Sequence, residues 1–200
     1  MGFLGLALAA LGTGVCRGAG SAPPEVLESA AEATKALAAQ VMEGNYAYSI
    51  EKMYPRWKAR AAKREGGMKE LLERLAKAPA EMQRKGITLL DLEVGQPAAG
   101  HEVRAALIGD AGGGQRRILT EWLVLVPTTS RFKVVDPSRG VKKEIETYGY
   151  QVAIANKERM EWTFIDGSGL SVSELRRFFP GLPEDREALG MPRVGGRELK

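Results

Sequence analysis

The apolar residues of this chain change their spacing once, at Gly86, and that change limits the folds open to it. Before Gly86 they recur every three or four residues, the period of a helix with one buried face; after it they recur every two, the period of a strand. Residues 24 to 43 place Val26, Leu27, Ala30, Ala33, Leu37, Ala38 and Val41 on one helical face, and Gly44 ends that helix. Asn45 can cap a second helix whose one side carries Tyr46, Ile50, Met53, Tyr54, Trp57 and Ala61, with Pro55 predicting a kink or a break. Gly66-Gly67 separates a third stripe, Met68, Leu71, Leu72, Leu75 and, past a kink at Pro79, Met82.

From Ile87 onward, Thr88, Leu90, Leu92 and Val94 alternate with Asp91 and Glu93, Val103, Ala105 and Leu107 with Glu102 and Arg104, and Arg116 to Val126 reads as a long strand. Turn signals fall at Gln96 to Gly100, Gly112 to Gly114, Pro127 to Ser130 and Asp136 to Gly140. Tyr150 to Ala155 and Met160 to Ile165 form a final hairpin. In "MEWTFIDGSGL", residues 160 to 170, Trp162 and Phe164 alternate with polar neighbours as a half-buried strand does, and Asp166-Gly167-Ser168-Gly169 turns the chain. Ser171 and Glu174 then form a capping box for a short helix carrying Leu175, Phe178 and Phe179. Trp162, Phe164, Asp166, Ser171 and Glu174 are thus expected to be structural. Helices followed by strands predict an α+β fold, N-terminal helices packed on a curved antiparallel sheet with a short C-terminal helix. One domain over residues 23–183 suffices for a chain of this length, leaving 184–200 as a loosely ordered tail.

The first residues read differently. Met1 to Val15 is uncharged and apolar, and small residues follow to Ala22, a pattern that resembles a secretory signal peptide and predicts export to the periplasm or beyond. The run falls short of the ~20 apolar residues a spanning helix needs. The single cysteine, Cys16, raises lipid anchoring, but Thr13, Gly14 and Val15 depart from the lipobox pattern. Cleavage after Gly20 or Ala22 would leave no thiol, and with it no disulfide, cysteine nucleophile or thiolate metal site. The net charge of +4 is a weak clue, but its distribution is uneven: from Lys52 to Lys85 there are eleven basic residues against four glutamates. Export and the lack of aromatic interleaving argue against nucleic acid, leaving a solvated basic face or an anionic envelope component as partner.

The stretches "YPRW", "GGMKELLERL", "EMQRKGITLLDLEVGQP", "VLVPTT", "WTFIDGSGL" and "LRRFFPGLP", spread over residues 45 to 183, resemble secreted bacterial proteins of unknown function similar to the nuclear transport factor two-like, or cystatin-like cone, superfamily. The resemblance implies a sheet and helices enclosing a tapered cavity, and a homodimer through the sheet face. It implies no activity, because that fold hosts enzymes and binding modules alike.

Candidates for lining such a cavity are Tyr46, Tyr54, Trp57, Asp91, Glu121 and Trp122. The aromatic residues equally suit core packing with a hydrogen-bonded tip, and Asp91 and Glu121 suit solvent-facing sheet positions. Alternation sets Glu121 and Trp122 on opposite faces, so one of them at most points inward. His101 reads as a surface histidine. No zinc spacing, serine triad or phosphate-binding glycine loop is present, and no cofactor or metal is implied. The expectation is an exported, non-catalytic binding or interaction module of the cell envelope; the alternative is a small-molecule-binding enzyme or carrier that uses the cavity for a small apolar ligand.

Overall fold

The computed structural model describes residues 21–108, 117–135 and 140–199. The leader-like segment to residue 20 with Cys16, the Gly112–Gly114 turn and the 136–139 turn lie outside the described residues. Two long antiparallel strands form the spine, β3 (Arg117–Val135) and β4 (Lys142–Asn156), in register from Glu121 opposite Asn156 to Val135 opposite Lys142. The outer edge of β3 is shared by β2 (Ala99–Ile108) and β1 (Ile87–Val94), and that of β4 by β5 (Trp162–Asp166) and β6 (Gly195–Leu199).

The spine is buried on both faces, which explains its unbroken apolar run Trp122 to Val126. Trp122, Val124, Val126, Ala153 and Ala155 face α1 (Pro24–Met42), whose Val26, Ala30 and Leu37 meet Trp162 and Phe164 there. Leu123, Leu125, Val152 and Ile154 face the other way, onto Tyr54, the short helix α5 (Val172–Phe178), Phe179, Leu182 and Leu189. The α+β architecture holds, with the N-terminal helices preceding the sheet. The capping box forms: Ser171 Oγ accepts from the Glu174 amide at 3.3 Å, and Glu174 Oε2 accepts from the Ser171 amide at 3.1 Å.

Several local expectations change. Pro55 breaks the second helix into α2 (Tyr46–Glu51) and α3 (Pro55–Glu65). Between them Met53 and Tyr54 run extended beside β5: Phe164 donates its amide to the Lys52 carbonyl and Tyr54 donates to the Phe164 carbonyl, both at 2.8 Å. Asn45 precedes α2 without capping it through its side chain, whose Nδ2 donates instead to Gln40 Oε1 at 2.6 Å. The helix α4 (Met68–Arg84) continues through Pro79.

Pro127 to Ser130 is not a turn but the middle of β3. Pro127 sits where β2's pairing, ending at Leu125, gives way to β1's, starting at Thr128. Its carbonyl accepts from Gly95 at 2.9 Å, so its nitrogen also points to this junction, where no strand needs a donor. The strand β4 starts eight residues before Tyr150, at Lys142. The tail is not loose: Leu189 is fully buried, and Gly195–Leu199 pairs with β4. Ser21 and Ala22 likewise belong to the fold. Ala22 donates its amide to the Gly100 carbonyl at 2.9 Å, and its methyl group fills space that a side chain at Gly100 would need.

Trp162 is 8% exposed, and its indole N–H donates to Ser29 Oγ at 3.0 Å, joining β5 to α1. Replacing Trp162 with Ala removes both the ring and that bond, and should cost about 3–5 kcal/mol in chemical denaturation. An unchanged unfolding midpoint would contradict this placement.

Candidate functional site

The space between α1 and the sheet is filled by large side chains at one end and left open at the other. Where Trp122 and Trp162 give way along the sheet to Thr128 and Gln151, α1 presents Thr34, Leu37, Ala38 and Val41, and a cavity of about 170 Å³ remains. Its floor is Leu92 of β1, Thr128 of β3, Gln151 of β4, and Phe164 and Asp166 of β5; Ser49 of α2 and Met53 form the side wall. Strand parity accounts for the floor, since Thr128 follows Val126, Gln151 precedes Ala153 and Asp166 follows Phe164 on the α1-facing side.

The cavity is mainly apolar, and its polar groups are mostly engaged. Thr34, buried on the apolar face of α1, donates to the Ala30 carbonyl at 2.7 Å, which lets a hydroxyl sit there without an unmet donor. Asp166 Oδ1 accepts from the amide of Ser168 at 3.0 Å and from its hydroxyl at 2.8 Å, closing the turn. Gly167 has to be glycine in that turn because a Cβ would overlap the Tyr150 ring. Ser49 differs: its hydroxyl oxygen is buried and has no hydrogen-bond partner among the described residues. A buried hydroxyl without a partner costs free energy that a bound molecule could recover.

None of the six residues singled out from the sequence lines this cavity. Tyr46 borders a separate groove of about 100 Å³ between α1, α2, α4 and β1. Asp91 sits at the sheet surface with Arg131, 2.6 Å away, whose guanidinium holds the carboxyl below its ordinary range. Trp122 is in the α1-side core, with Lys157 Nζ 4.2 Å above its ring. Trp57 packs on Phe178 beside the opposite core, ring centres 5.7 Å apart. Thr34, Ser49, Thr128 and Gln151 carry no sequence signal beyond being polar on an apolar face.

Tyr54 and Glu121 meet on that opposite side. Because both sheet faces are covered, Trp122 is buried and Glu121 on the opposite face is half-buried rather than fully facing water. Tyr54 donates to Glu121 Oε2 at 3.1 Å, and Arg56, which donates to the Phe178 carbonyl at 3.2 Å, lies within electrostatic reach. Desolvation raises the pKa of Glu121, with the Tyr54 bond and the Arg56 charge opposing it. Desolvation and the nearby Glu121 charge likewise push the Tyr54 phenol up. The pair therefore joins the segment before α3 to β3. His101 is also buried, 9% exposed; its Nε2 lies 3.0 Å from the Leu189 carbonyl, which can only accept, so Nε2 carries the proton.

Among the described residues no group of His, Cys, Asp and Glu is arranged to hold a metal ion, and no helix is long and apolar enough to cross a membrane. Comparison with protein-family models, curated proteins and solved structures found no match to this chain.

The raised pKa of Glu121 carries a sign. A carboxyl that holds its proton more tightly when folded contributes its full stability below the ordinary value of 4.5 and loses it as pH rises through the folded pKa. Glu121→Gln keeps an acceptor for Tyr54 and cannot ionise. The variant should gain in melting temperature relative to the parent as pH rises from below 4.5 toward neutrality, and hold that gain above it. A gap that closes with rising pH would show the opposite electrostatic balance.

Proposed function

We propose that the protein is a binding module, rather than an enzyme, that carries a small apolar molecule in the cavity between α1, α2 and the sheet. The observation that carries this reading is the pairing of a mainly apolar space of about 170 Å³ with the unpartnered hydroxyl of Ser49 in its wall. A cavity of about 150 Å³ accommodates a benzene ring, so a one-ring or short-chain molecule with one polar end suits these dimensions. Binding is favoured over catalysis by how the polar groups are used. Thr34 and Asp166 are turned to the backbone and to Ser168, and no acid and base converge on one point of the cavity.

The reading draws on the resemblance to the cone superfamily, which implies a cavity between helices and sheet. Export of the protein is part of the same reading and rests on the leader-like pattern of the first residues.

Ala38 is 6% exposed and lines the cavity, so Ala38→Leu adds side-chain volume to that space without removing an existing side chain. Native mass spectrometry of the protein purified from its host should show a retained small molecule on the parent and none on the variant, with melting unchanged or raised. A parent that emerges empty, or a variant that keeps the added mass, overturns the reading.

A further inference from the structure

We propose that the turn joining α3 to α4 docks on the surface of an anionic lipid bilayer. This inference stands apart from the cavity and would survive the failure of that reading.

The hairpin of α3 and α4 is held to the rest of the fold through α3, whose Trp57 packs on Phe178. Of their residues Ala62 and Leu71 alone are buried, and α4 packs on α2, α3 and the edge strand β1 rather than across the sheet. At the tip, however, two large apolar side chains face water: Met68 is 43% exposed and Leu72 37%. They stand one turn apart on the same side of α4, so they form one small ridge. The core does not use that ridge.

Three basic residues, Lys63, Arg64 and Lys69, and three acidic ones, Glu65, Glu70 and Glu73, surround it, and the positive excess lies further along the two helices. Lys63 and Arg64 end α3, and Lys69 follows Met68 directly. The acidic neighbours are largely taken up within the protein. Glu65 pairs with Arg74 at 3.0 Å, Glu73 with Lys69 at 4.0 Å, and Glu70 lies in the first turn of α4, where the helix dipole favours a negative charge. Glu174, at the start of α5, lies within electrostatic reach of Arg60 and Arg64. Lys63 and Lys77 have no carboxylate paired with them among the described residues. Over the hairpin as a whole, Pro55 to Arg84, there are nine basic residues to four acidic.

Exposed apolar side chains flanked by lysine and arginine match a bilayer interface better than a soluble polyanion. The apolar pair enters the boundary between headgroups and acyl chains, to a depth of about 5–10 Å, while the long basic side chains reach back to lipid phosphates. A soluble anionic polymer would use the charges and leave Met68 and Leu72 in water. Single-stranded nucleic acid would use exposed aromatic residues to stack on, and the tip carries none; duplex phosphates, like a soluble polymer, would leave Met68 and Leu72 in water.

The test is co-sedimentation of the protein with vesicles of phosphatidylcholine alone and of phosphatidylcholine mixed with phosphatidylglycerol. Two double variants are compared with the parent: Lys63→Glu with Lys69→Glu, and Met68→Ser with Leu72→Ser. All four positions are exposed, so circular dichroism melts should match the parent's and the variants remain interpretable. The parent should bind the anionic vesicles about tenfold or more tightly than the neutral ones, and lose that preference in high salt. The charge variant should lose the preference. The serine variant should bind anionic vesicles several-fold more weakly while keeping its salt sensitivity. Absence of binding to anionic vesicles, or equal binding by parent and both variants, overturns the proposal. So does polyglutamate binding as tight as vesicle binding with the serine variant unaffected, which would identify a soluble polyanion as the partner.

Discussion

The structure depends on one constraint: the β3–β4 hairpin is long enough to be shared, and it is buried on both sides. Each of its outer edges is divided between two shorter strands, so six strands behave as two four-stranded regions built on one pair. The region of β2 and β5 carries the first part of α1 on one face and α5 with the C-terminal segment on the other, and the rest of α1 runs on over β1. The region of β1 and β6 is covered less completely. The open space under α1 falls between them, where Trp122 and Trp162 have ended and Leu92 and Thr128 take over.

The two faces are linked through Lys52 to Tyr54. The backbone of this segment joins β5 by two hydrogen bonds, its Met53 side chain closes the wall of the cavity, and its Tyr54 side chain crosses to the opposite core to reach Glu121. The extended geometry explains this division, because successive side chains of a strand point to opposite faces. A half-buried carboxylate costs free energy to ionise, yet it fixes the position of Tyr54 and hence of Met53. The polar pair on one face thereby helps hold the shape of an apolar space on the other.

What the sequence revealed was whatever local spacing determines. The change of period at Gly86 separated helices from sheet, the Ser171–Glu174 spacing located α5, and the alternation around Trp162 put that ring inside. The misses have a common physical origin in contacts between distant parts of the chain. Pro127 reads as a turn until its nitrogen is seen to face the gap between β1 and β2. The residues after Val141, rich in Lys and Glu, become strand because β3 and β6 pair with them, not because their side chains favour it. Leu189 lies in a stretch of weak local pattern and is nonetheless buried against the His101 side of the sheet. The cavity was the least legible feature, since parity assigns a residue to a face but not to a place along the sheet where packing stops short.

The order of the elements has a consequence for how the molecule is made. Everything α1 is built to cover is encoded after it, and the partner of Tyr54 in the sheet, Phe164, lies on the order of a hundred residues downstream. At about 5–20 residues per second, the helical half leaves the ribosome several seconds before the first complete strand pair of the spine exists. During that interval Val26, Leu37, Trp57 and Leu71 have no sheet to rest on, and the nascent chain is at its most adhesive. The surfaces on which the helical half packs are thus the last parts of the chain to be made.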